Sequence, residues 1–149
     1  KLLNATQPQR AYFGQKDAQQ AVLIKRMTAD LNFPVEVVVC PTIREADGLA
    51  MSSRNNYLNV AERQAATVLF RALTAAKSAY YSGERNANKL RHIMSEIIRG
   101  EPLARLQYVS CAEPDSLHEL DKEIQGKALL SMAVFIGKTR LIDNLIIGE

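Results

Sequence analysis

Residues 10–40 open with Arg10-Ala11-Tyr12-Phe13-Gly14, pass through Gln15-Lys16-Asp17-Ala18-Gln19-Gln20, and close, after Asn32-Phe33-Pro34, with Val35-Glu36-Val37-Val38-Val39-Cys40. The first run is short, apolar and ended by Gly14; the last is rich in β-branched residues and ended by Pro41. Both predict buried strands. Between them, Ala21, Ile24, Thr28 and Leu31 recur on one helical face, with Lys25, Arg26 and Asp30 mostly outside it. Asp17 is placed to open that helix, and Asn32-Phe33-Pro34 to stop it. A strand, a helix and a strand in about 30 residues make a βαβ unit with a right-handed crossover. Two strands do not complete a doubly wound sheet. They read as the last part of one.

Downstream the pattern changes. Thr42 to Tyr57 follows neither period, carries Gly48, paired serines and charges, and reads as a loop long enough to be functional. Asn59 and Glu62 form a capping box that opens one helix through about Ser82, with Ala65, Leu69, Ala72 and Ala76 on its stripe and Gly83 after it. A second helix is expected from Asn86 to Arg99, burying Leu90, Ile93, Met94 and Ile97 and stopping at Gly100. Leu106–Cys111 reads as a strand and Pro114–Leu120 as a turn or short helix. Ala128–Ile136 and Thr139–Ile147 read as two strands joined by the hairpin signal Gly137-Lys138. The expectation is an α/β chain with a boundary near Thr42. Residues 1–42 end a parallel sheet; residues 43–149 form a small α+β domain of two helices and a three-stranded antiparallel sheet.

Composition narrows the function classes. The chain has 149 residues, 47% of them hydrophobic, and a net charge of +3, which excludes disorder. No apolar run approaches the roughly 18–20 residues of a membrane helix, and the first residues show no charged-then-apolar leader. Lys1 stands where an initiator Met would be, and Leu2-Leu3-Asn4 reads as the tail of a helix, so a piece of a longer protein is expected. Cys40 and Cys111 are too few for a disulfide scaffold or zinc ribbon, which fits a reducing cytoplasm. Residues 61–105 hold eight basic against four acidic side chains. Spread over helix surface with no block of like charge, they describe a solvated face better than a nucleic-acid surface.

Two segments offer chemistry. Gly14–Gln20 sits at the carboxyl end of a strand, where open α/β sheets bind ligands. Gly14 admits close backbone approach, a helix start favours anions, and Lys16 brings a mobile positive charge. Asp17 and Gln20 are equally explained as a cap and its partner three residues on, and both readings stay open. Asp47-Gly48-Leu49-Ala50-Met51-Ser52-Ser53-Arg54-Asn55 combines loop N–H groups, two hydroxyls and a bidentate cation, as polyphosphate binding requires; a polar surface loop is the plain alternative. Both segments follow successive strands of one sheet, so they are expected on the same rim. His92 and His118 have no metal-spaced partner, and neither a Walker A motif nor GxGxxG occurs.

Phe13–Gln20, Pro41–Asn55 and Thr139-Arg140-Leu141-Ile142-Asp143-Asn144 together resemble the pantothenate synthetase (pantoate–β-alanine ligase) family, in the right order and over the whole chain. The resemblance implies a Rossmann-like nucleotidyltransferase domain, related to class I aminoacyl-tRNA synthetases, joined to a smaller C-terminal domain. It implies a cytoplasmic, Mg2+-dependent homodimer that makes pantoyl adenylate from pantoate and ATP, then lets β-alanine displace AMP. Nucleic acid and membrane are not implied as partners. By the same resemblance, Gly14 and Asp17 hold the ATP ribose and Lys16 the phosphates. Gln20 binds pantoate, the Ile43 backbone meets adenine, and Met51, Ser52, Ser53 and Arg54 line the phosphate loop. Lys16, Ser52, Ser53 and Arg54 are the expected catalytic groups. Gln15 stands where an acid is usual and Ala18 where an aromatic is common. The family's His-x-Gly-His motif is absent, so this chain is expected to be about the C-terminal half and inactive alone. The alternatives are half of another adenylate-forming ligase of that synthetase-like class, or a non-catalytic nucleic-acid-binding module.

Overall fold

Strand β1 (Arg10–Gly14) and strand β2 (Glu36–Cys40) pair in parallel, from Arg10 opposite Glu36 to Gly14 opposite Cys40, in a computed structural model that describes residues 1–148. The chain therefore leaves both strands at the same end. A short helix α1 (Leu2–Thr6) precedes them. A 3-10 turn at Gln15–Asp17 then leads into helix α2 (Ala18–Asp30), which supplies the crossover a parallel pair needs. These elements make up one compact unit, Lys1–Thr42.

The strands are less buried than their apolar runs predict. β1 alternates exposed and half-buried residues, Tyr12 being 62% exposed, and β2 is nowhere fully buried. A two-stranded sheet has no central strand, so every strand is an edge. Leu31, expected on the buried face of α2, is exposed. The helix has ended by then, and the 3.6-residue period no longer applies to it. The face that α2 does bury is Ala18, Ala21 and Thr28.

The second unit, from Ile43 onward, holds helices α3 (Val60–Ala65), α4 (Val68–Tyr81) and α5 (Ala87–Arg99). Strands β3 (Ala104–Ala112), β4 (Ala128–Ile136) and β5 (Thr139–Ile147) follow as an antiparallel sheet of order β3-β4-β5. The capping box is present: Asn59 Oδ1 accepts the Glu62 N–H, and Glu62 Oε2 accepts the Asn59 N–H. The single helix expected over 59–82 is broken at Ala66–Thr67, giving three helices where two were expected. No Pro or Gly breaks it. The Thr67 hydroxyl donates to the Gln64 carbonyl at 2.8 Å, and such local side-chain bonds compete with the helical ladder. The apolar stripe survives the break, with Ala65, Leu69, Ala72 and Ala76 all buried.

α5 turns Leu90, Met94 and Ile98 fully inward, while Ile93 and Ile97 are only partly buried against the same core. Leu130, Met132 and Ile136 of β4 and Ile147 of β5 complete that core. The β4–β5 hairpin turns at Gly137-Lys138, where Gly137 takes φ 55°, the left-handed conformation that a two-residue hairpin turn favours.

Candidate functional site

The strand-to-helix turn of the first unit gathers Gly14, Lys16, Asp17 and Gln20. Gly14 has φ −79° and ψ 136°, extended backbone open to any residue, and a Cβ there would meet nothing within 4 Å. The glycine is therefore not needed for conformation; it keeps the space over the turn clear. Lys16 is half-buried, whereas Asp17 and Gln20 are exposed. Asp17 occupies the N-cap position of α2, yet its side chain makes no capping hydrogen bond, and φ −97°, ψ 53° is outside the usual N-cap region. The cap-and-partner explanation of Asp17 and Gln20 is thus not realised.

The second segment is more strongly built. Gly48 N–H donates to the Glu45 carbonyl, Glu45 N–H to Leu49, and Met51 N–H to Ile43, closing a small hairpin whose Arg44 and Ala50 face each other as an isolated bridge. Gly48 takes φ +90° at its tip. Two ion pairs clip this hairpin to its surroundings. Arg44 reaches Asp143 of β5 through both guanidinium nitrogens, at 2.6 and 2.9 Å, and also donates to the Gly48 carbonyl at 2.9 Å. Its guanidinium lies 4.4 Å from the Phe70 ring centroid. Asp47 accepts from Arg63 of α3 at 2.7 and 3.2 Å, and from the Leu49 N–H at 3.2 Å. Arg63 beside it holds the Asp47 carboxyl below its ordinary range.

Met51–Arg54 leaves this hairpin into a 3-10 turn, Ser53–Tyr57. Ser52 Oγ accepts the Arg54 N–H at 3.3 Å, and Asn55 Nδ2 donates to the Ala50 carbonyl at 3.1 Å. Ser53 and Arg54 are exposed, and the Arg54 guanidinium pairs with no carboxylate among the described residues. Ile43 and Met51 are also exposed, at 66% and 52%. The Ile43 carbonyl already accepts the Met51 N–H, at 2.9 Å.

A family model described as pantoate-beta-alanine ligase matches residues 1–146. The chain belongs to the pantoate-beta-alanine ligase family. It is 62% identical over 147 residues to the pantothenate synthetase of Roseiflexus castenholzii, covering 99% of this chain and 52% of that protein. The chain spans about half the length of the curated relatives it matches. A crystal structure of pantothenate synthetase from Thermus thermophilus superposes with a TM-score of 0.90 at 44% identity, over 97% of this chain and 51% of that one. A second, pantoate-beta-alanine ligase from Francisella tularensis complexed with beta-gamma ATP and beta-alanine, superposes at 0.63 and 30% identity, over 97% and 46%.

The remaining titratable groups lie outside these two segments. His92 and His118 are exposed, and among the described residues no group of three or more His, Cys, Asp or Glu side chains is placed to hold a metal ion. A cleft of about 700 Å³ in the second unit includes His118, Glu113 and Lys127 but none of the residues expected in the site. Cys111 is fully buried, and burial pushes its thiol up to about 11, far from reactivity. Cys40, expected buried as well, is only half-buried. No helix among the described residues is long and apolar enough to cross a membrane.

What sequence reasoning missed is the pairing of Arg44 with Asp143 and Phe70. All three lie in the chain's readable segments, but 99 residues separate the charged partners, and no local period connects them.

Proposed function

We propose that the protein of which this chain forms part condenses pantoate with β-alanine at the expense of ATP. In the first step the pantoate carboxylate attacks the α-phosphorus, an acyl–phosphate bond forms, and pyrophosphate leaves. In the second, the β-alanine amine attacks the acyl carbon, AMP departs, and the amide nitrogen gives up its proton. The observation that carries this reading is the Met51–Arg54 loop, whose exposed hydroxyl and guanidinium groups stand on a hairpin fixed by two ion pairs.

Within that reading, Ser52, Ser53, Arg54 and Lys16 meet the phosphates. Negative charge accumulates on the departing pyrophosphate, and fixed cations and donors stabilise it more than they stabilise the ground state. Gly14 and Asp17 meet the ribose, Gly14 through its unobstructed backbone and Asp17 through a carboxylate that no cap engages. The Ile43 backbone serves adenine, and Gln20 hydrogen-bonds pantoate. No protein nucleophile is needed. The magnesium that the family implies would be carried by the nucleotide's own phosphates, its usual partners. A cytoplasmic setting and a homodimer belong to the same proposal for the whole protein.

Pantoate-dependent exchange of labelled pyrophosphate into ATP by the full-length protein tests the reading. Exchange that requires pantoate supports it. Exchange driven by a different carboxylic acid, with none from pantoate, sinks it in favour of another adenylate-forming ligase.

A further inference from the structure

We infer that Arg44 is a positioning residue for the Met51–Arg54 loop, acting through Asp143; this rests on the phosphate role proposed for that loop. Asp143 belongs to β5, in register with Met132 of β4, and its side chain is 1% exposed. It is part of the β3-β4-β5 sheet. Arg44, with a side chain 15% exposed, spans from that carboxylate to the hairpin that carries the loop.

Both terminal nitrogens of its guanidinium are engaged. Nη1 donates to Asp143 Oδ2 and the Gly48 carbonyl, Nη2 to Asp143 Oδ1 and, at 3.4 Å, to the Asn144 carbonyl, and the guanidinium carbon lies over the Phe70 ring. The bidentate fork and the ring contact hold the guanidinium in one place, which neither a lysine nor an apolar pair does. Asp143 in turn accepts the Asn144 N–H at 2.8 Å, so the carboxylate is itself held. Because Arg44 bridges Ala50, and Met51 bonds back to Ile43, the start of the phosphate loop inherits its place from this clamp.

Stability alone does not explain the pair. Desolvating two charges offsets most of their attraction, and apolar replacements of similar volume are often as stable. What a buried bidentate pair adds is a single geometry, and catalytic groups need placement to within about half an ångström.

The test uses the full-length protein with Arg44→Lys and, as the milder change, Asp143→Asn. Two readouts are taken on folded protein: pantoate-dependent ATP–pyrophosphate exchange, and amide hydrogen exchange of Glu45, Gly48 and Met51 against that of β4. The expected result is a drop in exchange kcat of about 10–100-fold, the size a misplacement of about an ångström produces. KM for pantoate stays unchanged, and amide protection is lost in 45–57 while β4 keeps its own. In an Arg54→Ala background the Arg44→Lys change should add little further loss, because both act through one loop. Unchanged protection of 45–57 in a folded variant overturns the inference, as does full additivity with Arg54→Ala. Failure of both variants to fold also overturns it, since the pair then serves the domain as a whole. If the unaltered protein shows no pantoate-dependent exchange, the functional reading fails, and the hydrogen-exchange readout still decides the positioning role.

Discussion

Gly48 lies so close to Phe70 that a Cβ built on it would stand 2.0 Å from the ring's Cδ1 and 2.8 Å from its Cγ. The atoms met are at the root of the side chain, so the ring cannot swing its far end aside. It must leave its rotamer, and with it the stack under Arg44. Gly48 also holds φ +90°, which a side chain rarely adopts. Gly48→Ala is therefore expected to destabilise the second unit by about 2–4 kcal/mol, combining backbone strain with overpacking. Urea denaturation checks this; a loss below about 1 kcal/mol would mean that the hairpin relaxes freely.

Asp17 gives the opposite expectation. A working N-cap costs about 1 kcal/mol to remove, but the Asp17 side chain makes no capping bond. Asp17→Ala should change stability by less than about 0.5 kcal/mol while weakening ATP binding by the full-length protein. Asp17→Ser should behave alike in both respects. Thermal unfolding and nucleotide titration read the two effects separately. A marked loss of stability in Asp17→Ala would restore the cap as its main role.

The contrast between these two residues shows where the sequence is informative. The β4–β5 hairpin was legible because its signals are local: a two-residue turn at Gly137-Lys138 between strand-like runs. The βαβ order was legible for the same reason. The break between α3 and α4 was not, because it turns on the Thr67 hydroxyl choosing the Gln64 carbonyl, an outcome that leaves no mark on apolar periodicity. Asp17 with Gln20 left two readings open, because their spacing satisfies a capping box that Asp17 does not form. The ion pair of Arg44 with Asp143 lies beyond local reasoning altogether. Anion binding at Gly14 and Lys16 and polyphosphate binding by the Ser52–Arg54 loop were open readings of the residues; the ribose, pantoate and adenine roles of Gly14, Asp17, Gln20 and Ile43 came from resemblance alone.

Lys16 carries the most direct prediction about rate. In the full-length protein, Lys16→Ala is expected to slow adenylate formation by on the order of 10²–10³, as loss of one transition-state donor does. Lys16→Arg should recover only part, because a planar fork does not replace a compact ammonium. Because Lys16 is half-buried and engaged by a neighbour, a modest stability change should accompany the loss. Pre-steady-state measurement of pyrophosphate release decides the point; near-normal release would remove Lys16 from the phosphate site.

The two cysteines should separate cleanly by chemistry. Cys111 is fully buried, and desolvation raises its thiol from the ordinary 9.0 to about 11, with nearby Arg91 opposing this only in part. The thiolate is the reactive form, so an alkylating reagent at about pH 8 should label half-buried Cys40 well before Cys111 in the native chain. The same shift sets an alkaline limit. Between about pH 9 and 11 the folded state keeps a proton that the unfolded state has lost, so this contribution is fully present below the unfolded value and falls as pH rises through the folded one. The loss reaches about 3 kcal/mol across the window, at roughly 1.4 kcal/mol per pH unit. Cys111→Ala should flatten that part of the stability–pH curve. Denaturation midpoints at about pH 8, 9.5 and 11 for both proteins provide the comparison. An equal slope in the two would show that burial does not raise the Cys111 thiol, and Cys111 labelling as fast as Cys40 would show that the sheet around β3 opens far more readily than its packing implies.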